Sequence, residues 1–278
     1  MQDGGSPHIG CKRKCCEKLF SDPDETRKVV SLGIVDPENK KNFLIEATPD
    51  LTEQVRILKN YSTFKNNDVP DGIFLTHAHI GHYAGLMYFG KEALNADSVK
   101  VYAMPRMKNY LENNGPWSQL VKLNNILLLE MLEDKKIKLS NTITITPFLV
   151  PHRDEFSETV GYKIEGPKKK ILFIPDIDKW GKWNKNIVEE IKKVDYAFLN
   201  GTFFDGGEIQ GRDISQIPHP FVIESMELFK TLSKEERSKI YFIHFNHTNP
   251  LLDSKSKQTK HVIESGFHAA EIGAVFSL

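Results

Sequence analysis

Short apolar runs recur along the whole chain, and polar, glycine or proline positions bound most of them. Many of these runs are rich in β-branched and aromatic residues, which are typical of buried strands. The pattern therefore predicts strands at residues 29–35, 43–47, 72–76, 99–103, 142–150, 159–164, 170–174, 196–199, 240–244 and 274–278.

Between the predicted strands, several segments have the apolar spacing or the composition of a helix. These segments predict helices at residues 50–60, 82–94, 105–114, 184–193, 220–232 and 256–265. Strands and helices thus follow one another in mixed order. This order favours an α/β sandwich in which sheets form the interior and helices cover them.

Composition excludes several functional classes. The chain has 278 residues, of which 40% are hydrophobic, enough for a full core. Its 37 basic and 37 acidic residues give a net charge of zero, so no nucleic-acid partner held mainly through phosphate contacts is expected. The chain has no apolar run long enough to span a bilayer, no N-terminal signal core, no repeat and no linker. We therefore expect one cytoplasmic domain over residues 1–278 without a membrane span.

The three cysteines of the chain, Cys11, Cys15 and Cys16, lie close together near the N-terminus. An odd number of cysteines cannot pair fully, and a disulfide between the adjacent Cys15 and Cys16 would close a strained ring. The pattern favours reduced thiolates that hold a metal ion. A set of surface thiols is the alternative, because this spacing is not a standard zinc motif.

Histidines at predicted strand ends carry the most specific signal. His77, His79 and His82 follow the predicted strand at residues 72–76. Residues two apart in extended chain point the same way, so His77 and His79 can bind one ion while His82 faces a neighbouring ion. Further candidates follow later strands, and each alone could equally be a loop, turn or core residue: His152, Asp176 and His244.

In this order, the histidine segment and the later residues resemble the His-x-His-x-Asp-His signature and the ligand series of the metallo-β-lactamase superfamily. The resemblance implies a metallo-β-lactamase-like αββα sandwich, with two mixed β-sheets flanked by helices. It also implies that His77, His79 and His152 hold a first ion. Zinc is the expected metal, with one or two ions at the active site and iron or manganese as alternatives.

The chain departs from the signature at Gly81, where the superfamily has an aspartate. The resemblance assigns His82 and His244 to a second ion, which Asp176 would bridge to the first. That second ion therefore lacks one carboxylate ligand. A water molecule or another carboxylate is expected to fill the gap, and the carboxylate candidates are Asp50 and Asp178.

Two further segments are similar to the pyrroloquinoline-quinone (PQQ) synthesis protein B branch of the superfamily. They are Gln-Asp-Gly-Gly-Ser-Pro at residues 2–7, with Gly10-Cys11 after it, and Ala-Thr-Pro-Asp-Leu at residues 47–51. The family's opening strand normally precedes Gln-Asp-Gly-Gly, so the resemblance implies that the given sequence starts without it. This branch implies an iron-dependent oxygenase that acts on a tyrosine-derived precursor.

The cysteines and the late histidines resemble another branch, the phosphoribosyl cyclic phosphodiesterases. Those enzymes combine an N-terminal cysteine cluster with His-x-x-His, which here is His244 to His247. The resemblance implies one structural zinc, held by Cys11, Cys15, Cys16 and His247. The cysteine spacing differs from the C-x-C-x-x-C of that branch, and His8 is an alternative fourth ligand.

His219 stands between two prolines, which restrict its backbone. It resembles in position a histidine that the cyclic phosphodiesterases use near their substrate, although a loop entering a helix is an equal alternative.

We therefore predict a metal-dependent hydrolase of a phosphodiester or related ester, in which Asp176 orients the water and His219 or a second ion stabilises the leaving oxygen. A small-molecule or peptide substrate and a homodimer are expected. The alternatives are the oxygenase and a non-catalytic metal-binding protein.

Overall fold

The structure is a computed structural model that describes residues 1–62, 64, 68–209, 213–214 and 217–278. The chain divides into two compact units. Unit 1 comprises Met1–Lys28, Val150–Arg153 and Gly161–Leu278, and unit 2 comprises Val29–Leu149 and Asp154–Val160. That the whole chain is one domain stays a prediction.

The described part of the chain contains strands and helices in mixed order, with short 3-10 helices between them. The strands are β1 Leu32–Asp36, β2 Lys41–Ile45, β3 Gly72–Phe74, β4 Val99–Ala103, β5 Ile126–Glu130, β6 Ile137–Lys138, β7 Thr144–Leu149, β8 Val160–Glu165, β9 Lys170–Ile174, β10 Tyr196–Asn200, β11 Ile240–Ile243 and β12 His268–Ala269. The α-helices are α1 Lys14–Glu17, α2 Leu51–Tyr61, α3 Ile80–Tyr83, α4 Pro105–Asn113, α5 Trp117–Lys122, α6 Ile187–Lys192, α7 Val222–Leu228, α8 Lys234–Arg237 and α9 Lys257–Glu264.

Most of the predicted elements agree with the structure, which also contains elements that were not predicted: β5, β6, β12, α1, α5 and α8. The leucine-rich segment of β5 has Ile126 as its one β-branched residue, and it becomes a strand by pairing in parallel with β4. The predicted helix at 82–94 is the single turn of α3 followed by a 3-10 helix, Ala84–Phe89. Residues 274–278 form no strand, and the ring of Phe276 packs against those of Tyr196 and Tyr241, with centroids 5.1 and 4.9 Å away.

Unit 2 contains a five-stranded sheet in the order β1-β2-β3-β4-β5, in which only the pair β1 and β2 is antiparallel. Strand β3 is buried along its whole length, as expected of a strand inside a parallel sheet. Ile45 at the end of β2 pairs with Phe74 at the end of β3. The residues that follow both strands therefore emerge at the same edge of the sheet. Strands β6 and β7 pair antiparallel in the same unit.

Unit 1 contains parallel strands β9, β10, β11 and β12, and β8 lies antiparallel beside β9. Leu199 pairs with Ile174, and Asn200 pairs with Ile243. The carboxyl ends of β9, β10 and β11 consequently meet at one edge, and this is where sheets of this kind place their sites. Among the helices in the described ranges, none combines the length and the apolar character that a membrane crossing requires.

Candidate metal site

A cluster of histidines in unit 2 follows strand β3. The ring centroid of His77 lies 4.4 Å from that of His79 and 4.2 Å from that of His82. His77 and His82 are almost completely buried. Imidazoles brought together so closely, away from water, form a set of nitrogen ligands suited to a divalent metal.

Backbone hydrogen bonds hold this segment against a second part of unit 2. The amide of Ala78 donates to the hydroxyl of Ser157 at 2.8 Å, and the amide of Val160 donates to the carbonyl of Thr76 at 3.1 Å. His82 is positioned by α3, and its amide donates to the carbonyl of His79 at 2.9 Å. The histidines therefore stand on a fixed backbone, as a preorganised metal site requires.

Glu46, which no sequence motif indicated, lies at the same sheet edge as the histidine cluster. Its carboxylate is fully buried, with Oε2 3.3 Å from Nδ1 of His82. Glu46 has a left-handed backbone, with φ of 79°, which is costly for a residue with a side chain and is concentrated at functional sites. The one sequence signal was an acidic residue directly after a buried apolar strand.

Asp176 is the centre of a second cluster, in unit 1, just after strand β9. Its carboxylate oxygens lie 3.2 Å from Nε2 of His152 and 3.0 Å from Nδ1 of His219. Burial by itself raises the pKa of this carboxyl, but His219, His152 and His244 outweigh that effect and hold the pKa well below its usual range. Asp176 is therefore a buried carboxylate that stays ionised, which is the state in which it can bind a metal.

His152 is oriented by a chain of charged groups. Its Nδ1 lies 3.1 Å from Asp178, and the other oxygen of Asp178 accepts a hydrogen bond from Lys182 at 2.8 Å. Burial lowers the pKa of His152, but Asp176 and Asp178 more than compensate and raise it. With Nδ1 engaged by Asp178, Nε2 is turned towards Asp176.

His219 is buried in this cluster rather than exposed in a loop. Its ring lies 5.3 Å from that of His152, and its Nδ1 also lies 3.2 Å from the carbonyl of Ile177. The two prolines restrict the backbone that leads into α7. The side chain of His219 therefore lies in the cluster, while the backbone continues into the helix. The preceding residues 210–212 and 215–216 are outside the described residues.

His244 follows strand β11 and is almost completely buried. Its backbone is left-handed, with φ of 65°. Its Nδ1 lies 2.9 Å from the hydroxyl of Thr202, and its Nε2 lies 3.5 Å from Oδ1 of Asp3. Asp50, a candidate for the missing carboxylate, accepts a hydrogen bond from the amide of Val29 at 2.7 Å, while Asp178 is occupied by His152.

The three histidines His77, His152 and His244 share one arrangement. In each, Nδ1 lies within 3.1 Å of a side-chain oxygen, which belongs to Thr76, Asp178 or Thr202. Metal-binding histidines commonly engage one ring nitrogen in this way so that the other is fixed for the metal. The nitrogen and oxygen donors present fit zinc or iron.

The cysteines form a separate cluster within unit 1. The sulfur of Cys15 lies 3.9 Å from that of Cys11 and 4.0 Å from that of Cys16. Two thiolates on one tetrahedral zinc stand about 3.8 Å apart, since each Zn–S bond is about 2.3 Å long. The ligand atoms of four residues all lie within 4.8 Å of one another, and these are Cys11, Cys15, Cys16 and His247.

His8, the alternative fourth ligand, has a supporting position in this cluster. Its amide donates to the sulfur of Cys16 at 3.4 Å, and its ring stacks on that of His247 with centroids 4.4 Å apart. Burial, together with the charges of His8 and Arg13, lowers the pKa of His247 to about 4. His247 is therefore neutral near pH 7, as a metal ligand must be.

A partly buried acid, Glu208, connects the loop after β10 to the segment that follows His247. Its carboxylate accepts hydrogen bonds from the amide of Phe204 and from the hydroxyl of Thr248, the latter at 2.8 Å. Burial raises the pKa of Glu208 to about 7, although these hydrogen bonds act in the opposite direction. Arg13 of the cysteine segment donates to the backbone carbonyl of Glu208 at 3.1 Å.

We expect Glu208→Gln to stabilise the protein at pH 8 but not at pH 4.5. Folding raises the pKa of Glu208 from 4.5 to about 7, so the native state binds more protons and loses stability as pH rises through this window. The Tm of the variant minus that of the parent should grow by a few degrees as the pH rises from 4.5 to about 7, and it should stay constant at higher pH. Thermal unfolding across pH measures it, with the exposed Glu264→Gln as control; a pH-independent difference would contradict the assignment.

Comparison with known proteins shows related sequences and folds. Residues 41–245 match the family described as beta-lactamase superfamily domain. Coenzyme PQQ synthesis protein B of Methylorubrum extorquens (strain PA1) is 21% identical over an alignment of 308 positions. The alignment covers 99% of this chain and 96% of that protein. These findings confirm the predicted resemblance to the superfamily and to its PQQ synthesis protein B branch.

Two solved structures have the same fold. Zn²⁺-bound PqqB from Methylobacterium extorquens gives a TM-score of 0.78 at 19% identity, covering 100% of this chain and 97% of that one. A diphosphatase from the PhnP family gives a TM-score of 0.66 at 20% identity, covering 100% of this chain and 95% of that one. The predicted fold class, with mixed sheets and helices, is confirmed by these similarities.

Proposed function

Because the chain belongs to the β-lactamase superfamily, we propose that it is a metal-dependent hydrolase of a phosphodiester or related ester in a small molecule or peptide. The observation that carries the proposal is the buried cluster of His152, Asp176 and His219, with an ionised carboxylate between two imidazoles. A structural role alone does not explain why a buried anion and two imidazoles are brought together at the end of a strand.

The superfamily signature assigns the ligands of the first ion. His77 and His79 would bind it together with His152, and Asp176 would contribute a carboxylate oxygen. Zinc is the proposed metal, and a bound divalent ion supplies Lewis-acid activation of water and of the scissile bond. The fixed orientation of the ring of His152 by Asp178 supports this assignment.

The protein's own groups then have distinct tasks. Asp176 would accept a hydrogen bond from the attacking water and so orient it. His219, whose ring lies beside Asp176, donates a proton or hydrogen bond to the leaving oxygen. The exposed side chains of Ile80 and Phe156, which belong to the segments that hold His79, provide apolar surface for the rest of the substrate.

We also propose one structural zinc, held by Cys11, Cys15, Cys16 and His247. The sulfur separations and the low pKa of His247 support it. The cysteine segment has few apolar contacts that could hold it, since α1 buries only Cys16. A metal would therefore tie this segment to the residues after β11.

A second candidate function is an iron-dependent oxygenase like the PQQ synthesis protein B branch. The similarity to coenzyme PQQ synthesis protein B over nearly the full length of both chains favours it. A site of histidines and one carboxylate with open coordination positions is compatible with Fe(II) chemistry. The two functions differ in the metal required and in the consumption of oxygen.

The test is an activity screen on metal-free protein reloaded separately with Zn²⁺, Mn²⁺ or Fe²⁺. We expect metal-dependent release of p-nitrophenol from bis(p-nitrophenyl) phosphate or p-nitrophenyl acetate, without oxygen uptake. Oxygen consumption restricted to the Fe²⁺ form would favour the oxygenase. Tight metal binding with neither activity would overturn the hydrolase proposal and support a non-catalytic metal-binding protein.

A further inference from the structure

The carboxylate that the signature lacks at Gly81 has a candidate replacement in the N-terminal segment. Asp3 places Oδ1 3.5 Å from Nε2 of His244, within unit 1. We propose that Asp3 is a ligand of the second metal ion, together with His244 and, by the superfamily signature, His82. This inference rests on the metal centre of the proposed function and adds a ligand that the signature does not contain.

The distance between Asp3 and His244 is that of two ligands of one ion. Metal–nitrogen and metal–oxygen bonds of about 2.0 to 2.2 Å at a tetrahedral angle separate the two donor atoms by about 3.4 Å. The observed 3.5 Å agrees with this value, whereas it exceeds the usual length of a hydrogen bond. Thr202 engages Nδ1 of His244 at 2.9 Å and thereby turns Nε2 towards Asp3.

Backbone contacts deliver Asp3 to this position. The amide of Gln2 donates to the carbonyl of Phe245 at 2.8 Å, so the N-terminal segment runs beside the turn that carries His244. The chain then turns, with the amide of Gly5 donating to the carbonyl of Gln2 at 2.9 Å. Gly5 has φ of 62°, a conformation that glycine adopts without strain.

The chemistry explains why a carboxylate is needed there. His82 and His244 are neutral ligands, so without another anion the second divalent ion would have only the shared Asp176 to balance its charge. Asp3 adds one negative charge and an oxygen donor, which suits zinc, manganese or iron. The carboxylate of Glu46 lies 3.3 Å from Nδ1 of His82 and so orients that ring.

The test is metal binding by Asp3→Asn, which keeps the shape of the side chain and removes its charge. Metal-free protein is titrated with Zn²⁺ by calorimetry, and the bound metal is counted after dialysis by mass spectrometry. We expect the variant to bind one ion fewer than the parent, or to bind that ion at least tenfold more weakly. The control is Asp22→Asn, which alters an exposed aspartate of the same N-terminal region and should change nothing.

A second variant checks that the lost group is a ligand. Gly81→Asp introduced into Asp3→Asn supplies a carboxylate at the signature position and should restore the missing ion. Equal metal content and affinity in Asp3→Asn and the parent would overturn the proposal, as would a parent that binds no second ion. Because metal is counted without any substrate, a chain that shows the expected loss but hydrolyses nothing would support Asp3 as a ligand while contradicting the hydrolase.

Discussion

His152→Ala is expected to remove the first metal ion and nearly all hydrolytic activity while the protein stays folded. We expect kcat/KM to fall by more than roughly a thousandfold, because without the ion no group remains that would lower the pKa of the attacking water towards neutrality. The strands of unit 1 bury their apolar side chains independently of this ring, so the circular dichroism spectrum should be preserved.

The matched control for this variant is His261→Ala, which removes an exposed histidine on helix α9. It should keep both the metal content and the activity of the parent. His79→Ala removes another proposed ligand of the first ion and should cause the same loss of metal and activity as His152→Ala. Activity that persists in either ligand variant would show that the reaction does not depend on the first ion.

Cys11→Ser is expected to release one zinc per chain and to lower the Tm, leaving the metal at the histidines in place. Zinc bound by cysteine-rich sites contributes about 10–16 kcal/mol of binding free energy in small peptides, so its loss is costly. In this protein the loss should affect mainly the N-terminal segment, which the site ties to His247. Zinc released by a thiol-modifying reagent, together with thermal unfolding, measures both effects.

Lys12→Ser is the control for the cysteine site, since it alters an exposed neighbour of Cys11 that carries no ligand atom. Its zinc content and Tm should match those of the parent. Parent protein that contains no metal at the cysteines when purified without chelator would contradict the structural zinc. The same experiment separates this ion from the Asp3 site, because Asp3→Asn should leave the thiol-released zinc unchanged.

Local sequence determined most of the strands, the histidine segment and the fold class. The segment from His77 to His82 is recognisable because its ligands lie within six residues, where strand and turn geometry alone fix which side chains share a face. The fold class followed from the same order of strands and late histidines, and the comparisons confirm it. Strand β5 was missed because parallel pairing, rather than its own composition, makes it a strand.

Only the tertiary structure revealed the groups that approach these histidines from distant parts of the chain. Glu46 beside His82 and Asp3 beside His244 are brought there by strand register and by the pairing of Gln2 with Phe245. Residue spacing carries no information about such contacts, because they depend on how separate segments meet after folding. The sequence therefore determined where a metal signature lies and that one carboxylate is missing from it, whereas the folded backbone decided which carboxylate stands in its place.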